Sequence, residues 1–266
     1  MTAPDALPPP VPLTECGVLI LGGTSGTGLA TAHAFAAAGT PRLVLAGRDA
    51  ARGVAARDQV RAAHPGALVE FVACDALEPD QALATAARAE SLLGGIDVLV
   101  NSVSSAAMPN PFHADPIELI RPTLLNQALP PLHMCRAVIP GMRARRRGAI
   151  VTLSSDAAKV ATPGEAVVGA AMAAVTKFSQ ALALEAKRYG VRVNVITPSL
   201  IGNTPSHDTL MRDAFAGKLF GKVLAAAHLG MTVPEDIAPL IVFLASPAAA
   251  RITGQTISVN GGISVA

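Results

Sequence analysis

The sequence predicts an α/β protein built on a doubly wound parallel sheet. Three observations carry that expectation. Short apolar runs alternate with helical stretches of roughly 10 to 15 residues, a glycine-rich turn joins the first run to the first helix, and no shift of composition divides the chain. Strands that alternate with helices pair in parallel through right-handed crossovers, so both halves are expected to share one sheet and one core.

From Gly17, "GVLIL" is a buried-strand run, "GLATAHAFAAAG" a helix closed by Gly39, and "RLVLA" a second strand. The unit repeats as a helix from Ala50 to Ala63, a strand from Leu68 to Ala73, a helix from Asp80 to Leu93 and a strand from Ile96 to Asn101. Next come a long helix around Ile117 to Arg147, a strand at "AIVTLS", a helix through "EAVVGAAMAAVTK" to Tyr189, and a strand at "VRVNVI". A helix from Pro234 to Ala245 and a strand at "TISVN" complete the series. Pro130 and Pro131 remove two amide donors and are expected to interrupt and kink the long helix. Arg143, Arg145, Arg146 and Arg147 read as a solvated helix end, where cations favour the dipole. The opening "MTAPDALPPPVPLTE" lacks a basic region followed by an apolar core, and its prolines suit neither helix nor central strand. It is expected to be a flexible tail over residues 1–14, with a single domain over 15–266.

Hydrophobic residues make up 51% of the 266-residue chain and charged residues 15%, with a net charge of +2. Such a balance supplies no field for nucleic acid or a membrane surface and favours a small-molecule partner. Lys177 interrupts the longest apolar stretch, so no membrane span is expected. Cys16, Cys74 and Cys135 are an odd number without metal-ligand spacing. They are expected as buried thiols of a cytoplasmic protein, with no metal site.

"LILGGTSGTGLA" places Gly22, Gly26 and Gly28 where a strand turns into a helix. Residues without Cβ let backbone approach a pyrophosphate, and the helix N-terminus offers free N–H groups and partial positive charge. In an alternating chain this is the dinucleotide turn of a Rossmann-type, three-layer α/β/α fold. At the end of the second strand, where an acid would bind the ribose hydroxyls of NAD, stand Ala46, Gly47 and Arg48. An arginine without a neighbouring acid there favours the 2′-phosphate of NADP(H) over NAD(H).

With these residues in place the chain resembles a short-chain dehydrogenase/reductase from Gly17 onward. The resemblance is carried by "GGTSGTG", "CDA", "DVLVN", Asn126, "GAIVTLSS", "YGVRVNVITP" and "PEDIAPLIVFLASPAAARITGQTISVNGG". It implies cofactor contacts at Gly22, Thr24, Ser25, Gly26, Thr27, Gly28, Arg48, Asp75, Ala76, Asn101 and Ile201, with Asp75 beside the adenine. Ser155 and Asn126 match two of the four catalytic residues of that family, Asn, Ser, Tyr and Lys. Relatives are usually dimers or tetramers through the helix holding Asn126 and the one ending near Tyr189, so a homo-oligomer is expected. The segment 201–232 corresponds to a substrate lid, and its mixed composition suits a fairly apolar ligand.

Counting from Ser155 to the family's tyrosine lands on Val168, and its lysine position holds Met172. Glu185 stands where the family's following glutamate falls, which fixes the register. Tyr189, the one tyrosine, closes the helix and reads as packing. The family's Asn-Asn-Ala-Gly is "NSVSS" here and its Pro-Gly is Pro198-Ser199. A positioned acid contributes about 10²- to 10⁴-fold to carbonyl reduction, and neither valine nor methionine donates a proton. Ser155, Asp156, Lys159, Glu165 and His113 are substitutes within reach, each otherwise a solvated loop residue. Three accounts stay open: an oxidoreductase whose substrate needs little acid help, such as an imine or activated carbonyl; a silent pseudoenzyme partner; and a non-redox isomerase or lyase.

Overall fold

The computed structural model describes residues 7–103 and 107–266. Strand β1 (Gly17–Leu21) pairs in parallel with β2 (Arg42–Gly47) on one side and β4 (Val98–Asn101) on the other. With β3 (Leu68–Ala73), β5 (Gly148–Leu153), β6 (Val191–Pro198) and β7 (Thr256–Val259) they form one sheet in the order β3-β2-β1-β4-β5-β6-β7. The order reverses between β1 and β4, which opens a crevice at the carboxyl edge of those two strands.

Successive residues of β1 face opposite layers, and each is buried. Val18 and Ile20 join Phe35, Leu43, Leu45, Ile237, Ile241 and Leu244 on the side of α1 (Gly26–Ala37), α2 (Ala50–Ala63) and α8 (Pro234–Ala245). Leu19 and Leu21 join Val44, Leu99, Met134, Met142 and Ala183 on the side of α3 (Pro79–Leu93), α4 (Ile117–Arg145) and α5 (Ala166–Ala186). Burial on both faces is why these strands read as continuous apolar runs. Between β6 and α8 lie α6 (Pro205–Arg212) and α7 (Ala214–Ala225), capped by the side chains of Thr204 and Asp213.

Four expectations are corrected. The helix α4 runs through Pro122, Pro130, Pro131 and Pro140 without a break, because Pro130, Pro131, Met134, Cys135, Val138 and Met142 are buried against the core. The tail is held from Val11 onward: Val11 and Leu13 pack on the core, and the Arg42 guanidinium donates to the Glu15 carbonyl at 2.8 Å. The arginines at the end of α4 are engaged rather than solvated. Arg145 pairs with Glu90 and donates to the Ile96 carbonyl, Arg147 meets Asp97 at 3.2 Å, and Arg143 lies 4.5 Å above the Tyr189 ring. Finally, α5 with its 3-10 continuation, Ala166–Tyr189, is long and apolar enough by composition to cross a membrane, at mean hydropathy 1.5 despite Lys177. Here it packs between α4 and β6.

Arg192 ties the sheet to the end of α8. Its guanidinium donates to the Ser246 carbonyl, which also accepts from Ala249 N–H, and to the carbonyls of Leu244 and Ala245, which have no helical N–H partner beyond the helix end; burial lowers its pKa. Arg192→Met is expected to cost about 1 to 3 kcal/mol by leaving the Leu244 and Ala245 carbonyls unpaired. A urea midpoint shifted down at unchanged slope checks it.

Candidate functional site

The glycine turn is built from backbone contact. Gly22 donates to the Ala46 carbonyl at 2.8 Å and has a φ of 81°. A Cβ on it would lie 2.3 Å from the Ser102 carbonyl oxygen, and one on Gly28 would lie 2.1 Å from the Gly22 oxygen. The turn therefore locks the ends of β1, β2 and β4 to the start of α1. Ser25, at the N-cap of α1, makes no side-chain cap, in contrast to Asp49 on α2 and Asp213 on α7. The first-turn N–H groups of α1 are left to an anion. Thr24 stands beside Gly47, whose added Cβ would come within 3.0 Å of the Thr24 methyl. Thr27 is buried and accepts through its carbonyl from Thr31.

Arg48 follows at the end of β2, exposed and without an ion pair among the described residues, while Asp49 is committed to Arg52. At the end of β3, the Asp75 carboxylate accepts from Leu77 N–H in a tight turn and the Asp75 N–H donates to Gln81. Ala76 is buried, and its carbonyl meets Nδ1 of His133 on α4 at 3.0 Å. Asn101 ends β4, fully buried, its amide donating to Thr152 and to the Cys135 sulfur while Oδ1 lacks a partner. Burial pushes the Cys135 thiol up to about 12, so it is inert. Cys16 and Cys74 are likewise free and buried. Ile201 bridges to Thr232 just beyond β6, and Thr204 of the same loop lies against Gly26. Sequence reasoning missed Thr204; the signal was a threonine before Pro205, an N-cap with proline at the first helical position.

All the expected cofactor positions thus lie along the carboxyl edge of the sheet. Ser104 and Ser105 of "NSVSS" fall outside the described residues. On the other side of the crevice, Ser155 follows β5 and accepts from Ala157 N–H. Its neighbour Ser154 donates to the Met172 carbonyl at 3.0 Å and so pins α5 to the sheet. Met172 is buried and Val168 half-buried. Asn126 sits half-buried in α4 with no hydrogen bond from its side chain among the described residues.

The substitute acids are not equivalent, and the expectation of solvated loop residues fails for three of them. Asp156 is 5% exposed and accepts from Asn260 at 2.6 Å and Ser264 at 2.7 Å. Lys159 donates to Ser258 and to the Ala266 carbonyl. Both are consumed in holding the C-terminal segment. His113 is exposed. Glu165, at the N-cap of α5, is half-buried without a cap bond or ion pair among the described residues, and burial pushes its carboxyl up to about 7. Among the described residues no three His, Cys, Asp or Glu side chains form a metal-binding group.

A family model described as enoyl-(acyl carrier protein) reductase matches residues 22–264, across the glycine turn, both sides of the crevice and the last strand. The chain belongs to the short-chain dehydrogenase/reductase family. A short-chain dehydrogenase of Neurospora crassa is 30% identical over 262 residues, 92% of this chain and 95% of its own. A Xanthobacter autotrophicus protein named inactive 2-(S)-hydroxypropyl-CoM dehydrogenase 2 is 32% identical over 203 residues, 76% of this chain and 88% of its own. Among solved structures, an NADPH-bound short-chain oxidoreductase of Pseudomonas aeruginosa PAO1, described as containing an atypical catalytic center, matches at TM-score 0.87 and 30% identity, over 97% of this chain and 100% of its own. This short-chain dehydrogenase/reductase is an oxidoreductase of a family that binds nicotinamide cofactors.

Glu165 gives the site a measurable signature. Its folded-state pKa of about 7 lies above the ordinary 4.5, so the folded protein keeps a proton that the unfolded chain releases. Its contribution therefore favours folding at low pH and is lost as pH rises from about 4.5 through about 7. Glu165→Gln is expected to remove that slope and to stabilise the protein by about 1 to 3 kcal/mol at alkaline pH. Denaturant titrations of both proteins across this range check it; parallel curves contradict the assignment.

Proposed function

We propose that this short-chain dehydrogenase/reductase is an NADP(H)-dependent oxidoreductase with an atypical active site, reducing a substrate that needs little acid catalysis, such as an imine or an activated carbonyl. One observation carries the reading: the chain keeps an intact glycine turn before α1 while α5 has Val168 and Met172 where the family pattern calls for tyrosine and lysine. The cofactor would supply hydride. Gly22, Thr24, Ser25, Gly26, Thr27 and Gly28 would hold its pyrophosphate against the uncapped start of α1, with Asp75 and Ala76 beside the adenine and Asn101 and Ile201 toward the nicotinamide. Arg48 would take the 2′-phosphate, favoured because Thr24 crowds any side chain at Gly47. Ser155 would donate a hydrogen bond to the substrate, and Asn126 would line the same pocket beneath a lid over 201–232. The same reading includes a cytoplasmic homo-oligomer joined through the outer faces of α4 and α5, where Arg136, Ile139, Pro140, Arg143 and Ala144 line an open groove.

A catalytically silent nucleotide-binding partner is the second reading, supported by the same two residues and by a relative whose name marks it as inactive.

Arg48→Ala is expected to weaken NADPH by about 1 to 3 kcal/mol and leave NADH nearly unchanged. Nicotinamide fluorescence titrations test this; equal affinities in the native protein overturn the NADP(H) preference. Simple ketones are expected to be reduced far below the usual enzymatic range of about 1 to 10³ per second. Val168→Tyr combined with Met172→Lys is expected to raise that activity. A double variant that folds, binds NADPH and reduces nothing decides for the silent partner.

A further inference from the structure

The chain from Leu7 to Pro12 crosses the edge where the strands begin, opposite the crevice. Leu7 lies against Gly190, just before β6, where an added Cβ would meet its Cδ2 at 3.4 Å. Val11 packs on the core, and its carbonyl accepts from the Cys16 thiol, just before β1. The starts of β5 and β4 lie between those two points, so they are three interstrand spacings or about 14 Å apart. Four residues of polyproline II advance about 12 Å and four of α-helix about 6 Å, so the segment has to be extended to reach.

The sequence dictates the form of that extension. Pro8, Pro9, Pro10 and Pro12 have φ fixed at about −65°, and a residue before proline is held to extended backbone, which covers Leu7, Pro8, Pro9 and Val11. Pro12 is observed at φ −58° and ψ 146°, the values of polyproline II. With three residues per turn, Val11 turns its edge to the core and leaves Pro9 and Pro12 on one open edge and Pro10 on the next. All four prolines are exposed. The carbonyls of Pro8, Pro9 and Pro10 accept no hydrogen bond among the described residues, whereas those of Val11 and Pro12 are taken by Cys16 and Glu15.

We propose that this proline ridge docks a partner protein through a groove lined by tryptophan and tyrosine. The rings stack on Pro9, Pro10 and Pro12, and indole N–H and phenol O–H groups donate to the free carbonyls. Aromatic-lined grooves take polyproline II segments in this form, and a ridge already held at both ends gives up little further freedom on docking. No lysine or arginine precedes Arg42 in the sequence, and Arg42 is itself spent on the Glu15 carbonyl. The groove therefore reads prolines without a basic residue beside them. The docked partner sits at the opposite edge from the crevice and leaves it open, whatever the crevice binds.

The probes are profilin and a WW domain that binds uncharged proline runs, both with aromatic grooves. The chain contains no tryptophan, so tryptophan fluorescence reports on the probe alone. Titrating the purified full chain into either probe is expected to give a saturable fluorescence change that poly-L-proline competes away. Pro9→Ala combined with Pro10→Ala is expected to weaken binding at least tenfold while leaving the thermal midpoint and NADPH fluorescence titrations unchanged. Pro10→Glu, which puts a charge on an open edge and keeps the anchors at Leu7 and Val11, is expected to weaken it to the same degree. No saturable change with either probe, or binding that survives both variants, overturns the proposal. Gel filtration covers the remaining occupant: a dimer of the native chain that dissociates in the double variant makes a second copy the partner and overturns it as well.

Discussion

The backbone junction at Gly22 is the constraint on which the rest of the site depends. There the end of β1 donates to the end of β2, passes within contact of the Ser102 carbonyl after β4, and supplies the oxygen against which Gly28 packs. No side chain fits at either glycine, and the φ of 81° at Gly22 suits a residue without Cβ. Because β1 and β4 are the strands between which the sheet order reverses, this junction sets the floor of the crevice. It also fixes where α1 begins, and with it the direction of that helix's free N–H groups.

The two sides of the crevice differ in electrostatic character. Around α1 and β2 the available groups are donors and a cation: the first-turn N–H groups and Arg48. On the side of α5 the surface is apolar at Met172, which is buried. Charged residues that could blur this contrast are consumed elsewhere. Asp156 carries the C-terminal segment through Asn260 and Ser264, and Lys159 completes that contact. A methionine at position 172 suits such a pocket, since a buried lysine without an anionic partner must lose its charge or its solvation.

Much of the architecture was legible because it rests on local pattern. Strands buried on both faces give apolar runs, and α2 and α8 have the bounds that the sequence pattern predicts. Val168 and Met172 were reached by counting along the chain, and both lie on α5. What escaped depends on partners distant in sequence. The Arg145 pair with Glu90 ties the end of α4 to α3, and the Arg147 pair with Asp97 ties the segment after α4 to the start of β4, so a cluster that reads as solvated is engaged. Asp156 looked exposed because Asn260 and Ser264 lie over a hundred positions away. Glu165 carried no local signal of burial; the loop at Asn110 and the Phe215 ring beside Gly164 close in from other elements.

The prolines of α4 set packing against helix propensity. Each interior proline removes a helical hydrogen bond and crowds the carbonyl four residues back, at a cost of about 3 kcal/mol or more. Propensity alone predicts a break, and the helix persists because its lower half is buried against α3, α5 and the sheet. Burial of Met134, Cys135, Val138 and Met142 offsets the loss over the stretch that touches the core. Tertiary packing therefore tolerates an incomplete hydrogen-bond ladder within α4.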